Sequence, residues 1–457
     1  MSLIRIKRGL DLPIPGGLDS AVLEHAPEPA RVALLPQQSW GIKVQLLAQE
    51  GDRIKVGTPL YCDRRDPRVV YASPAAGVLE SVVRGEKRVT LSMIVRAENF
   101  AEQAPRTQMD AARAARAESV EALAASGLWP ALRQRPFDRV AHSDDVPHSI
   151  FVTATDTEPL AASPREAIRG REEHFRSGLE TLAKLAEKGV ILCTSAEEDW
   201  SDLRTRGRQP IAGVAAHQFR GPHPAGLAGT HIHFLDPVGA KRKVWHVAAQ
   251  DVADIGEFFA TGQVPTARRI AVVGPAAKKR AFVQTRRGAE MSVFDAFADR
   301  SRGAVRFIGG SALSGRTAQP GTDDGWLGRW DRQVTLLSDE TEREFLGWSA
   351  PLGKRWSLTN VYPGKFFGAA RLRFDTDLNG SPRAIVPIGL WEKVMPLDVL
   401  PTQLIKALAS DDLEGAEKLG ALELAEEDLA LCEFVDQSKT PATALLRQML
   451  TRIEKEG

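Results

Sequence analysis

The chain has 457 residues, of which 43% are apolar, and its 60 basic and 59 acidic residues give a net charge of +1. This composition is typical of globular proteins, and the length predicts about three domains, which excludes a disordered chain, a nucleic-acid-binding polycation and a single small binding module. The three cysteines, Cys62, Cys193 and Cys432, stand far apart, which argues against a disulfide framework, a zinc finger and a cysteine-held iron–sulfur cluster.

The N-terminus alternates apolar and basic side chains from Met1 to Arg8 (MSLIRIKR) and is soon interrupted by Gly9 and Pro13. A signal peptide needs a continuous apolar segment, which this pattern lacks. No stretch of about 18 uninterrupted apolar residues occurs, although a membrane-spanning helix needs one. We therefore expect a cytoplasmic protein without a transmembrane helix, which another subunit must hold wherever it works at a membrane.

Short apolar runs separated by turn residues predict β structure in the first domain, residues 1–100 including an N-terminal segment. The order of the runs around Gly57 and Gly77 resembles the biotinyl/lipoyl-type barrel-sandwich hybrid. In carriers of that fold a lysine in the central hairpin receives the cofactor, whereas this hairpin reads DRRD from Asp63 to Asp66. We therefore expect no covalently bound cofactor.

Residues 101–262 are predicted to form a Rossmann-like α/β domain without a flavin loop. The segment 101–128 has the composition of a helical connector. An apolar strand at Ser149–Ala154 is followed by the cap sequence SPRE, which predicts a helix from Ser163 to about Lys188. The next apolar run, Val190–Thr194, then predicts a buried parallel strand.

The last two domains are predicted from a change of periodicity. Two strand-like runs joined by a turn, Arg269–Pro275 and Ala281–Thr285, and a helical segment at Val293–Phe297 favour a β-grasp (ubiquitin-like) domain with connecting β segments over 263–375. Residues 376–457, rich in Leu, Ala, Glu and Asp at helical spacing, predict a C-terminal helical bundle.

Five of the nine histidines lie within thirty residues around a loop rich in Gly and Pro: His217, His223, His231, His233 and His246. His231 and His233 are predicted to project from one face of a strand, where they could chelate a metal. No nearby cysteine completes a ligand set, so no metal site is expected. With Phe219 and Phe234 beside it, the loop instead predicts a pocket wall for a flat ligand with polar groups, or else a rigid structural turn.

Sequence motifs of catalysis and phosphate binding are missing. The chain has no Gly-Lys-Ser/Thr phosphate loop, no G-x-G-x-x-G fingerprint and no G-x-S-x-G nucleophile elbow. The nearest glycine cluster, Gly309–Gly315, does not follow a βαβ strand in the required way. We therefore expect no complete catalytic site in this chain alone.

Three long strings carry a resemblance over essentially the whole chain to the A subunits of bacterial sodium-translocating NADH:quinone reductases. They are IKRGLDLPI (Ile6–Ile14), GPHPAGL with GTHIHF (Gly221–Phe234) and MPLDVLPTQL (Met395–Leu404). More distantly, the chain is similar to the C subunit of the Rnf electron-transfer complex and to the flavin subunit of respiratory complex I.

The distant relatives imply which cofactors this chain has lost. Their glycine-rich FMN loop corresponds here to ASGLWPAL (Ala125–Leu132), with one glycine and a tryptophan, so the resemblance implies no flavin site. The acidic turn that follows is kept as DTEP (Asp156–Pro159). The cysteine positions of the Rnf cluster motif hold four residues without thiolates: Ile385, Ile388, Trp391 and Met395.

The family resemblance implies a peripheral subunit on the cytoplasmic side of the inner membrane, part of a complex that couples electron transfer from NADH to ubiquinone with sodium export. NADH, flavins and iron centres then belong to partner subunits, and this chain contributes quinone binding and docking to the membrane subunits. Its candidate quinone-binding residues are those of the histidine-rich loop: His217, Phe219, His223, His231, His233 and Phe234. The alternative is a structural docking module derived from a flavoprotein fold; a free-standing flavin enzyme is disfavoured by the missing glycines.

Overall fold

A computed structural model describes residues 2–105, 114–206, 209–339, 356, 358, 372 and 374–456. The connecting β segments expected between 340 and 371 fall almost wholly outside the described residues, as do positions 106–113 of the expected connector. The first two strands, β1 (Leu3–Arg5) and β2 (Leu23–His25), join sheets that are formed mainly by later parts of the chain.

Seven strands between residues 31 and 99 form two antiparallel sheets, as the alternation of short apolar runs and turns predicts. They are β3 (Arg31–Leu34), β4 (Val44–Leu46), β5 (Arg53–Ile54), β6 (Pro59–Asp63), β7 (Asp66–Ala72), β8 (Ala76–Arg84) and β9 (Thr90–Asn99). One sheet has the order β3-β9-β8-β5 and the other β4-β6-β7. The tip between β6 and β7 holds the DRRD sequence, so the predicted hairpin is confirmed.

A seven-stranded sheet forms the centre of the next domain. Its members beyond β1 are β10 (Arg133–Arg135), β11 (Arg139–Val140), β12 (Ile150–Ala154), β13 (Val190–Ser195), β16 (Val214–Arg220) and β17 (Val244–Ala248). The strands are arranged in the order β1-β16-β13-β12-β17-β10-β11. A separate small hairpin comprises β14 (Thr205–Arg206) and β15 (Gln209–Pro210). The neighbouring strands β1, β16, β13, β12 and β17 pair in parallel. At the far edge, β10 pairs antiparallel with both β17 and β11.

The described residues of this domain include five α-helices: α1 (Arg116–Ser126), α2 (Pro164–Ile168), α3 (Glu172–Ala183), α4 (Ala228–Leu235) and α5 (Ala249–Thr261). The prediction of one helix from Ser163 to about Lys188 is wrong. Gly170 has a φ of +76°, a left-handed conformation that interrupts helical hydrogen bonding between α2 and α3. The side chain of Ser163 does cap α2, as the sequence predicts.

A six-stranded sheet forms the centre of the domain that follows. Its strands beyond β2 are β18 (Ala267–Val273), β19 (Ala281–Arg286), β20 (Val305–Gly309), β21 (Arg316–Thr317) and β22 (Gln333–Ser338). They are arranged in the order β2-β19-β18-β22-β20-β21. The expected hairpin is the antiparallel pair β18 and β19. The expected helical segment at Val293–Phe297 lies within a 3-10 helix, Met291–Phe297.

Among the described residues of the C-terminal part there are five α-helices: α6 (Leu390–Val394), α7 (Pro401–Ala409), α8 (Leu413–Lys418), α9 (Glu426–Val435) and α10 (Ala442–Glu456). They enclose their own apolar core, which includes Leu404, Leu429, Leu446 and Leu450. The barrel sheets and the α/β domain instead share one continuous core that contains Trp129 and Trp245.

A fully buried arginine, Arg135 at the end of β10, joins the C-terminal helices to the α/β domain. Its Nη1 lies 2.8 Å from Oδ2 of Asp428, its Nη2 lies 3.1 Å from Oε1 of Glu427, and its Nε lies 3.5 Å from Oδ1 of Asp138. Nη1 also donates to the carbonyl of Glu423 at 3.0 Å. Because the guanidinium has no access to water, its ion pairs with Glu427 and Asp428 hold the contact between the two units together.

Candidate functional site

The histidine-rich segment is not one loop. His217 and Phe219 lie on β16, His223 lies in the loop that follows, and the other three candidates lie on α4. The prediction that His231 and His233 project from one face of a strand is therefore wrong, because residues two apart on a helix point about 200° apart around its axis. Among the described residues, no group of three or more His, Cys, Asp or Glu side chains could hold a metal ion.

His217 and Phe219 are positioned by the N-terminal segment and by α4. Nδ1 of His217 lies 2.7 Å from Oγ of Ser2, and burial lowers the pKa of this imidazole. The Phe219 ring is buried in a small core with Phe151, and its centroid lies 4.3 Å from that of His231. Neither ring therefore forms the wall of an open pocket.

His223 is buried between the N-terminal segment and the turn after β12. Its backbone N–H donates to the Asp11 carboxylate at 2.8 Å, and its backbone carbonyl accepts a hydrogen bond from the Leu10 N–H at 2.8 Å. In its imidazole ring, Nδ1 lies 3.3 Å from Oγ1 of Thr157. Its Nε2 is buried without a hydrogen-bond partner among the described residues. Two of the strings that carry the family resemblance therefore contact each other at this loop.

The helix α4 fixes the remaining candidates in different surroundings. Nε2 of His231 lies 3.0 Å from the Ala225 carbonyl, and burial lowers the pKa of this histidine to about 3. Asp398 N–H donates to Nε2 of His233, so Nδ1 carries the proton and donates to Glu423 at 2.8 Å. Phe234 is 43% exposed.

The structure thus brings Phe219 and His231 together, but the six candidates do not converge on one open pocket. Phe219, His223 and His231 are buried in packing and hydrogen bonds, and His233 joins α4 to the C-terminal helices. This geometry favours the second interpretation of the segment, a rigid structural turn. The six residues stay a predicted site that a binding experiment must test.

The expected remnant of a flavin loop, residues 125–132, is packed against the barrel. A Cβ atom on Gly127 would lie 2.6 Å from Cβ of Ala72, so the backbone is covered by β7. The Trp129 side chain is fully buried; its Nε1 donates to the Ala141 carbonyl at 2.7 Å, and its ring meets Trp245 edge to face. These residues do not fit an FMN phosphate, which needs exposed backbone N–H groups.

A cleft of about 540 Å³ opens between the barrel and the α/β domain. Its aromatic walls are Trp40, Tyr71 and Phe137, and its polar side chains include Arg65, Arg139 and Lys243. Trp40 lies after β3 and is 46% exposed, whereas the Tyr71 ring is stacked on Tyr61 with centroids 4.4 Å apart. The cleft therefore combines flat apolar surfaces with cationic hydrogen-bond donors.

The cations of the cleft are held by carboxylates. Nη2 of Arg65 lies 2.7 Å from Oδ2 of Asp63, and Nζ of Lys243 lies 2.8 Å from Oδ2 of Asp145. Arg139 forms an ion pair with Glu454 of α10. Burial lowers the pKa of Arg139 to about 10, and the charges of Arg65 and Arg447 add to this effect.

A narrower apolar slot of about 60 Å³ adjoins the cleft. The two cavities share Ser39 and Tyr71 in their walls. The Tyr71 hydroxyl donates to Oγ of Ser39 at 3.0 Å, and burial raises the pKa of Tyr71. Leu34, Leu327 and Trp330 are among the residues that line the slot.

Sequence reasoning missed the cleft because its walls come from five segments that are separated in the sequence. The DRRD hairpin is notable in the sequence only for its missing lysine, although its Arg65 faces the cleft. The run from Arg135 to Arg139 (RPFDR) contains three charges and an aromatic ring around a proline. That mixture of residues is the one local signal that could have indicated a functional turn.

Comparison with known proteins gives matches to three family models. They are described as an NqrA N-terminal barrel-sandwich hybrid domain (residues 4–98), an NqrA second alpha/beta domain (114–264) and an NQRA C-terminal domain (269–319). The barrel-sandwich hybrid and the α/β domain expected from the sequence are thereby confirmed.

Over its full length the chain is similar to proteins named as the A subunit of a Na(+)-translocating NADH-quinone reductase. The identity is 45% for the protein from Pseudomonas aeruginosa (strain UCBPP-PA14), 42% for that from Hahella chejuensis and 41% for that from Neisseria meningitidis serogroup C, each covering 100% of both chains. A solved structure of an NAD+-reducing [NiFe]-hydrogenase in the H2-reduced state aligns with a TM-score of 0.41 and 12% identity, covering 76% of this chain and 64% of the other. That likeness is too weak to assign a fold.

Proposed function

The chain belongs to the family of A subunits of the Na(+)-translocating NADH-quinone reductase, and we propose that it provides the ubiquinone head group with a binding site in the cleft between its barrel and its α/β domain. The complex of this family is a translocating oxidoreductase, and the chain takes part as a subunit without a complete catalytic site. NADH, flavins and iron centres are assigned to partner subunits.

The cleft is the observation that carries the quinone proposal. A quinone head group has a flat ring and two carbonyl acceptors, so it needs flat apolar walls and one or two donors. Trp40, Tyr71 and Phe137 supply the walls, and Arg65 and Arg139 supply donors. The volume of about 540 Å³ lies within the usual range for small-molecule sites.

The histidine-rich segment remains the second candidate position for the quinone. His217, Phe234 and the hydrogen-bonded His233 are the members that retain exposed surface. In this alternative the ring would stack on Phe234 and accept a hydrogen bond from a histidine. The burial of Phe219, His223 and His231 makes it the less favoured position.

Docking to the membrane subunits is the second part of the proposal. Among the described residues no helix is long and apolar enough to cross a membrane. The C-terminal part exposes large apolar side chains at Leu378, Val386 and Ile388, which would be covered in a complex. We assign the chain to the cytoplasmic side of the inner membrane as a peripheral subunit. If it binds no quinone, this docking role alone remains.

The finer fold assignments belong to the same proposal. They are a Rossmann-like domain at 101–262, a β-grasp domain at 263–375 and a helical bundle at 376–457, with the boundaries predicted from the sequence. The absence of a nucleic-acid partner likewise stays a prediction, based on the balanced charge of the chain.

Titration of the purified full-length chain with ubiquinone-1 tests the quinone site. We expect saturable one-to-one binding, and Trp40→Ala should weaken it about two- to tenfold because one stacking wall is lost. Leu47→Ala is the matched control, since Leu47 is also 46% exposed on the barrel but lies outside the cleft. Non-saturable partitioning of ubiquinone-1, or equal affinity for both variants, would contradict the proposal.

A further inference from the structure

Two guanidinium groups lie side by side at the cleft. A Cβ atom on Gly41 would lie 3.4 Å from Nη2 of Arg139 and 4.0 Å from Nη2 of Arg65, so both groups contact the same stretch of backbone. A third, Arg447, lies behind the aromatic wall with its Cζ 4.9 Å from the Trp40 ring centroid. Positive charges this close need acceptors, because like charges in a partly buried site repel strongly.

Two of these arginines are held by well-fixed carboxylates. Arg65 pairs with Asp63 two residues away, and Asp63 also accepts the backbone N–H of Arg65 at 3.0 Å. Arg447 forms a bidentate pair with Glu426, with both distances 2.6 Å. Charge-assisted hydrogen bonds of this kind are stronger than hydrogen bonds between neutral groups, and a bidentate pair adds a second such bond.

Arg139 is held less firmly. Its partner, Glu454, lies in the last turn of α10 and is 28% exposed. A carboxylate in the last helical turn faces the negative end of the helix dipole, which is unfavourable for it. Nε of Arg139 is moreover buried without a hydrogen-bond partner among the described residues, so the present position of the guanidinium leaves one donor unused.

We propose that Glu454 is an internal competitor for the cleft: it occupies Arg139 in the free chain, and a carbonyl oxygen of the quinone head group replaces it there. The guanidinium already lies at an aromatic wall, with its Cζ 5.8 Å from the centroid of the Phe137 ring. One hydrogen-bond acceptor is exchanged for another, so no covalent bond is formed or broken. This inference rests on the quinone site proposed above and adds the residue that regulates it.

Removal of the Glu454 charge should therefore favour quinone binding. Glu454→Gln keeps the size of the side chain but loses the ion pair, and a partly exposed ion pair of this kind corresponds to about a two- to fivefold gain in affinity. Arg139→Gln removes the charged donor and should weaken binding about 10- to 100-fold. Arg139→Lys, which keeps the charge, should give an intermediate affinity.

The test is calorimetric titration of the full-length chain with ubiquinone-1 for the wild type and these three variants, with melting temperatures to verify folding. Glu456→Gln is the matched control, because Glu456 lies on the same helix but pairs with the exposed Arg452. Tighter binding by Glu454→Gln together with weaker binding by Arg139→Gln supports the inference. If the wild type binds ubiquinone-1 and Glu454→Gln has the same affinity as Glu456→Gln, the competition by Glu454 is refuted while the quinone site stands. If the wild type shows no saturable binding, both the competition and the quinone site are refuted.

Discussion

Replacement of Arg135 by alanine is expected to lower the free energy of unfolding by about 3–5 kcal/mol, because it leaves the buried Asp428 carboxylate without its counter-charge. Asp428 is nearly inaccessible to water and lies 2.8 Å from the guanidinium, whereas the nearby Asp138 keeps an ion pair with Arg133. The C-terminal helices should lose their attachment to β10 before the rest of the chain unfolds. Urea unfolding followed by far-UV circular dichroism, with limited proteolysis to locate the released part, measures this.

Arg452→Ala is the control for the Arg135 prediction. Arg452 is 39% exposed and pairs with Asp411 and Glu456 at the surface, so its removal should cost less than about 1 kcal/mol. Equal urea midpoints for the two variants would show that the buried network does not hold the helices.

Replacement of Phe219 by alanine is expected to cost about 3–5 kcal/mol of stability and to leave ubiquinone-1 affinity unchanged. The reason is its burial beside Phe151 and Ile232, where truncation opens a cavity. Melting curves and quinone titration of the same preparation measure both effects.

The exposed Phe234 completes the Phe219 experiment. Phe234→Ala should change stability by less than about 0.5 kcal/mol and also leave affinity unchanged if the quinone lies in the cleft. Weaker quinone binding by both variants would instead identify the histidine-rich segment as the site.

The parts of the fold that could be predicted are those that local pattern determines. The run Ile150–Ala154 is buried throughout, and a short apolar run after a connector is typical of a central parallel strand. The SPRE sequence at Ser163 predicts the start of α2, since the serine side chain accepts a backbone N–H. The end of that helix could not be predicted, because a single Gly170 inside a helical pattern can be tolerated or can break it.

The alternation in HIHF (His231–Phe234) predicts a strand, yet the segment is helical. Contacts with the preceding loop determine the helical structure. The Thr230 hydroxyl donates to the Pro224 carbonyl, and Nε2 of His231 lies 3.0 Å from the Ala225 carbonyl, so the loop packs onto the first turn of α4. Local periodicity over four residues cannot distinguish the two structures.

The cleft and the Arg135 network could not be predicted, for one physical reason. Both depend on side chains that are far apart in the sequence, by hundreds of residues for Arg139 and Glu454 or for Arg135 and Asp428. A charged residue is also expected at the surface, so nothing in the sequence marks Arg135 as buried.

The most direct test of the central claim is the KM for ubiquinone-1 in the NADH-driven reaction of the assembled complex. With the Trp40→Ala chain in place of the wild type, we expect KM to rise about two- to tenfold, while the Leu47→Ala chain keeps the wild-type value. An unchanged KM for Trp40→Ala, in a complex that assembles normally, would contradict the assignment of the quinone site to the cleft.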